Sequence, residues 1–184
     1  MTAEPEILRN AFNSETFVFY AHSGSSDMGR FRVILGDGGS GGGNALVHVH
    51  PHADETFDVV SGRLTIVVDG REQIVEAGQS ATIPRGASHY FKNAHAGTTE
   101  CTVTFSPSQQ HQRFFRNFAT LAQTKPKWFS SAGDPRLLLI ALVLHSYRDH
   151  LYLAGVPIGI QKVLFAVLSR VARWRGYRLA IDPL

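Results

Sequence analysis

Cysteine is almost absent. Cys101 stands alone, so no disulfide can close within the chain and a disulfide-stapled scaffold is excluded. Long apolar runs are missing as well: the longest in the C-terminal part covers residues 137–144, far short of the roughly 20 residues that cross a bilayer. The first ten residues have no basic start followed by an apolar stretch, so no secretory leader is expected, and the expected location is the cytoplasm. Charge is moderate at 18% against 43% hydrophobic residues, which sets the chain apart from disordered polar tails and places it among globular proteins. Its 184 residues suffice for one domain with a real core, alone or with an appendage.

What is present is unevenly spread. Residues 1–105 carry 7 Lys and Arg against 12 Asp and Glu, whereas residues 106–184 carry 11 against 3, so the net charge of +3 conceals an acidic first part and a basic second part. Glycine clusters at Gly36, Gly38, Gly39, Gly41, Gly42 and Gly43, which reads as a loop. The first part alternates like an all-β unit. Residues 17–21, 30–35, 45–50, 56–60, 64–68, 73–75, 81–83, 89–91 and 99–105 are short, rich in β-branched and aromatic residues, and mostly separated by Gly, Asp or Pro. Asp69-Gly70 is the strongest hairpin signal, because Asp-Gly supplies the two positive φ angles of a type I′ turn. So many short strands favour a sandwich or barrel. From Ser106 the character changes, and helices are expected over 111–123, 135–153 and 157–175, with Asp134-Pro135 and Pro157 as helix starts and Gly176 as a C-terminal cap. The division is therefore 1–105 for a β-barrel and 106–184 for a basic, amphipathic helical extension.

The chemistry-bearing residues lie in the β part. His48 and His50 are two apart in an expected strand, so both imidazoles point to one face. Glu55 heads the next strand, and His89 follows the turn Pro84-Arg85-Gly86. Three imidazoles and one carboxylate suit Fe(II), Mn(II), Zn(II), Ni(II), Co(II) or Cu(II), and donor softness alone does not choose among them. Leu46 shares parity with His48, Phe57 and Val59 with Glu55, and Phe91 with His89. These four are expected to form an apolar pocket wall around the metal.

The spacing Gly42-x5-His48-x-His50-x4-Glu55-x6-Gly62, followed after fifteen residues by Gly78-x5-Pro84-x-Gly86-x2-His89-x3-Asn93, resembles the two ordered motifs of the cupin superfamily. The resemblance covers about residues 31–105 and is closest to small, single-barrel cupins. It implies a mainly β fold, an antiparallel jelly-roll barrel, here followed by a C-terminal α-helical segment. It implies metal ligation by His48, His50, Glu55 and His89, with Gly62, Gly78 and Gly86 as turn glycines and Pro84 opening the turn before the last ligand. It also implies a homodimer.

Other residues carry blander readings. His52 offers a competing pair, His50-Pro51-His52, but Glu55 then follows too soon and the glycine spacing fails, so a rim position or outer donor is expected. Asp54 should face solvent, Asn93 should shape a turn, Tyr90 should face away from the pocket, and Cys101 should be a buried small residue. His22 could reach a barrel mouth, but nothing in the sequence requires it. His145 and His150 are off register for one helical face, which argues against a second metal site there. Over 157–175, Lys162, Ser169, Arg170 and Arg173 fall on one side and Val163, Leu164, Val167, Leu168, Val171 and Trp174 on the other. Packing on the barrel or on a second subunit is the first expectation for this helix. Peripheral contact with anionic lipid is the second, and nucleic acid is not expected for want of a reading motif.

Three function classes follow. The complete ligand set favours an enzyme, and the resemblance ranks a metal-dependent, dioxygenase-type oxygenase with Fe(II) and a small organic substrate first, with Glu55 also serving as catalytic base. A non-redox isomerase, decarboxylase or hydrolase comes second. A small-ligand-binding or sensor protein comes third.

Overall fold

The computed structural model describes residues 4–10, 12–20, 29–36 and 46–184. Gly42 of the first motif, most of the glycine-rich stretch and His22 lie outside the described residues. The strands are β1 (Glu6–Arg9), β2 (Glu15–Phe19), β3 (Arg30–Leu35), β4 (His48–Val49), β5 (Asp54–Ser61), β6 (Arg63–Val68), β7 (Arg71–Glu76), β8 (Ser80–Ile83), β9 (His89–Lys92) and β10 (Thr99–Ser106). After them come α1 (His111–Thr124), a 3-10 turn (Pro126–Trp128), α2 (Leu137–Ser146), β11 (Tyr152–Leu153) and α3 (Ile158–Trp174).

The strands form two antiparallel sheets, one ordered β1-β2-β3-β10-β5-β8 and the other β11-β4-β9-β6-β7, in the double-sheet arrangement of a jelly roll. Period-two alternation fixes which side chains meet between them. In β3, Phe31, Val33 and Leu35 are buried while their neighbours are not, and in β5 the same holds for Glu55, Phe57 and Val59. Asp69 and Gly70 both adopt positive φ, as the β6–β7 hairpin requires. Gly62 is needed on two counts: φ is +77°, and a Cβ there would lie 2.4 Å from the Thr98 carbonyl oxygen.

The second half departs from expectation at three points. The helix expected over 135–153 is only α2. Asp149 has a positive φ of 65°, and Tyr152 and Leu153 then pair with Val49 and His48 as β11. Asp134-Pro135 does not start it either. Asp134 closes a turn with Ser130, Pro135 bridges to Phe129, and Arg136 is the residue before the helix. The third point is the orientation of α3. It packs on α2 through Gln161, Phe165, Ser169 and Ala172, with Ile160, Val163, Leu164, Val167, Val171 and Trp174 left exposed. Within this chain the helix therefore does pack, but not by its apolar side. The small Ser169 and Ala172 admit close approach, and Gln161 satisfies the backbone of Leu153 and Val156 with three hydrogen bonds. α2 is apolar on every side: Leu142 is buried, and Leu139, Ala141, Val143 and Leu144 are buried in a second core between the helices.

Candidate metal centre

The four expected ligands come together between the two sheets. His48 sits on β4 directly across from His89 on β9, His50 follows β4, and Glu55 reaches in from β5 of the opposite sheet. Each is at most 3% exposed, and one potential ligand atom from each lies within 4.8 Å of all the others. The ring centroids are 4.3 Å apart for His48 and His89, 5.0 Å for His48 and His50, and 5.4 Å for His50 and His89. The β turn before His89 is tied to the first ligand strand, because the Gly86 N–H donates to the His50 carbonyl at 2.9 Å.

Outer contacts fix the rings. Nδ1 of His48 meets the Leu46 carbonyl at 2.8 Å, Nδ1 of His50 meets that of His150 at 2.5 Å, and Nδ1 of His89 meets that of Ala87 at 3.0 Å. A carbonyl only accepts, so each Nδ1 carries a proton, which leaves the Nε2 lone pairs of His48 and His50 for the centre. Burial, with the neighbouring His89, pulls His48 down to about 3, and burial and the surrounding imidazoles hold His50 well below its ordinary value, so both rings are neutral and ready to ligate. Burial also works against a charged His89, but the hydrogen bond and charge of Glu55 outweigh it and raise that pKa. Nε2 of His89 lies 2.8 Å from Glu55 Oε2, and Nε2 of His50 lies 3.6 Å from the same oxygen and has no hydrogen-bond partner. Two inward lone-pair donors beside a carboxylate, one of them orphaned at full burial, fit a divalent cation.

Two further histidines stand behind the ligands. His111 stacks on Phe105 with centroids 3.8 Å apart and lies 5.2 Å from the His50 ring. Its pKa is pushed down to about 3 by burial and by His150. His150 supplies the carbonyl that holds His50, and its own Nε2 accepts the Gln110 N–H. It lies beyond the end of α2, so the helical spacing of His145 and His150 has no bearing on it. Neither His111 nor His150 sits in a spacing that marks it in the sequence.

His52 is not part of the ligand group: its side chain is 59% exposed, 4.0 Å from Asp149 at the rim. Asp54 faces outward and accepts hydrogen bonds from Arg85, which hold its carboxyl below the usual range. Asn93 is buried and structural, donating to the carbonyls of Gly36 and Gly97 at 2.8 Å each. Cys101 is fully buried.

The expected pocket wall divides. Phe57, Val59 and Phe91 fill the barrel core, with the Phe57 and Phe91 rings 4.7 Å apart. Only Leu46 of the four lines the cavity of about 80 Å³ that reaches His48. Its other walls come from Phe17 and from residues of the second half, including Phe114, Phe115, Phe118 and Phe129, with Glu15 as the lining carboxylate. The sequence pattern misses these phenylalanines because α1 meets the barrel mouth only through tertiary packing.

Residues 31–105 match the Cupin_2 family, described as a cupin domain. Over this stretch, about two fifths of its length, the chain carries a cupin domain. Among curated relatives, it is 28% identical over 144 residues to the endoribonuclease YbeY of Myxococcus xanthus, covering 73% of this chain and 47% of that protein. It is 29% identical over 89 residues to the quercetin 2,3-dioxygenase of Bacillus subtilis, covering 48% of this chain and 26% of that protein. The chain thus spans less than half the length of either relative. Among solved structures, a conserved Klebsiella pneumoniae protein with a double-stranded β-helix domain aligns with 59% of this chain and 81% of its own, at 19% identity and a TM-score of 0.38.

Proposed function

We propose that this cupin is a metal-dependent oxygenase of the dioxygenase type, holding Fe(II) through His48, His50, Glu55 and His89 and acting on a small, largely apolar organic molecule. The observation that carries the reading is the cavity at His48. Its walls are mostly apolar, five phenylalanines among them, and they contain a single carboxylate and no Lys or Arg. Such a wall binds apolar or aromatic molecules and excludes water, but it offers few groups for the multiple proton transfers of non-redox chemistry. Bound iron would supply the redox step that side chains cannot.

The chain's own residues do the rest. The carbonyls of Leu46, Ala87 and His150 hold the three rings in one tautomer and orientation. Glu55 is assigned as proton acceptor for the substrate as well as ligand, and Glu15 is the one carboxylate in the cavity wall itself. The quercetin dioxygenase among its relatives supports the oxygenase reading. The endoribonuclease activity is not carried over: an RNA site needs cations for phosphate, and the cavity wall has none.

The test is elemental analysis of protein purified without added metal, followed by turnover of phenolic and diketone substrates with and without dioxygen. Near-stoichiometric iron and dioxygen consumption coupled to product are expected. Equal anaerobic turnover with Zn(II) or Mn(II) would instead establish non-redox catalysis, and a ligand retained through purification without turnover would establish a binding protein.

A further inference from the structure

The outward stripe on α3 has no counterpart among the other described residues. Wound at 100° per residue, Ile160, Val163, Leu164, Val167, Val171 and Trp174 fall within one narrow sector centred on Val167. All six are exposed, Val163 at 69% and Trp174 at 80%. Scattered surface apolar residues need no explanation, but a continuous stripe of this kind marks a surface that meets something.

Charge says what it meets. Arg170 and Arg173 lie along one flank of the stripe, and Arg175 and Arg178 follow at its C-terminal end. None of these four pairs with a carboxylate among the described residues, whereas Lys162, farther round the helix, is held by Asp149 at 2.8 Å. No Asp or Glu occurs anywhere in residues 150–181. A second copy docked stripe to stripe would therefore bring cations together with no anion between them. An anionic lipid surface complements both features at once. The stripe enters the acyl boundary, Trp174 sits at headgroup depth with Arg175 over its ring at 5.6 Å, and the long arginines extend to the phosphates. No helix among the described residues is long and apolar enough to cross a membrane, so α3 would lie in the surface plane.

We propose that the outward face of α3 docks this protein onto anionic membrane surfaces, with the acidic barrel turned away. This rests on the orientation of α3 and not on the oxygenase reading.

The experiment is flotation of the full chain with vesicles of phosphatidylcholine alone or with a third phosphatidylglycerol. Binding should be at least tenfold tighter to the anionic vesicles and fall steeply in high salt, since each basic residue near the surface is worth about fivefold. Val163→Glu/Val167→Glu should abolish it, and Arg170→Glu/Arg175→Glu should weaken it by more than tenfold. All four positions are at the surface, and unchanged circular dichroism and melting would show that the fold is kept. Tryptophan emission should shift to the blue on binding, and Trp174→Phe should remove that shift although Trp128 remains. Absence of binding, equal binding to both vesicles, or a dimer that Val163→Glu/Val167→Glu dissolves while the wild type ignores vesicles would each overturn the proposal.

Discussion

Inside the barrel, three histidines and a glutamate are shut away from water; on α3, six large apolar side chains face it. Both depart from the ordinary distribution of polarity, in opposite senses, and each has its own physical signature. The buried polar groups are held by specific partners: every ring Nδ1 has a carbonyl, and what is left over converges on one point. The exposed apolar groups have no specific partner and need none, because the hydrophobic effect is non-directional and scales with area. A convergence of directed lone pairs calls for a single ion. A stripe without directed contacts calls for an extended surface.

The barrel side of this contrast breaks most sharply at a ligand. His89→Ala should take metal content from near one equivalent to near zero, a loss beyond the roughly 10–100-fold typical of outer-contact changes, measured by elemental analysis after dialysis. Next comes the sealing of the core. Cys101 is raised to about 12 by burial and by the surrounding carboxylates, so at pH 8 its alkylation should be slower than in the unfolded chain by at least about a thousandfold. The folded state keeps the proton that the unfolded state releases, so stability is intact below pH 9 and declines as pH rises from there toward 12. Phe57→Ala, at a fully buried ring against Phe91, should lower unfolding free energy by about 3–5 kcal/mol in denaturant titration.

The helical side breaks more gently. Asn117 is fully buried and joins Tyr147 Oη to the backbone at Ala180 and Ile181, so Asn117→Ala should cost about 1–3 kcal/mol and release the C-terminal tail to carboxypeptidase. The smallest effect belongs to the stripe itself. Val167 is 53% exposed, and Val167→Ser should change thermal stability by no more than about 0.5 kcal/mol, measured without lipid. A larger loss would mean that the stripe is covered in the free protein, and the contrast would fail.

The two halves also differ in how much their residues disclose. A strand repeats every two residues, so the inward parity of Glu55, Phe57 and Val59 and the convergence of His48 with His50 are visible in one dimension. The glycine and proline punctuation then sets where each strand turns. The helical half depends on contacts between distant segments. Hydrophobicity alone assigns the apolar side of α3 to the interior, but α2 is already apolar all round, and the close-packed side that fits it is the one with Ser169, Ala172 and Gln161. β1 and β11 are too short and too mixed to stand out, and β11 exists because β4 offers it an edge. His111, His150 and the phenylalanines of α1 reach the centre only through the tertiary fold.

The hydrogen bond from His50 to the His150 carbonyl spans 100 residues of sequence and joins a ligand to the turn between α2 and β11. It would make an ion held there and the docking of the second half one thermodynamic system. Whatever steadies the turn raises affinity for the ion, and the ion steadies the turn by the same free energy, as reciprocity demands. A chelator should therefore act at a distance, loosening residues 147–153 to proteolysis, and a cut in that turn should in return release the ion from the barrel.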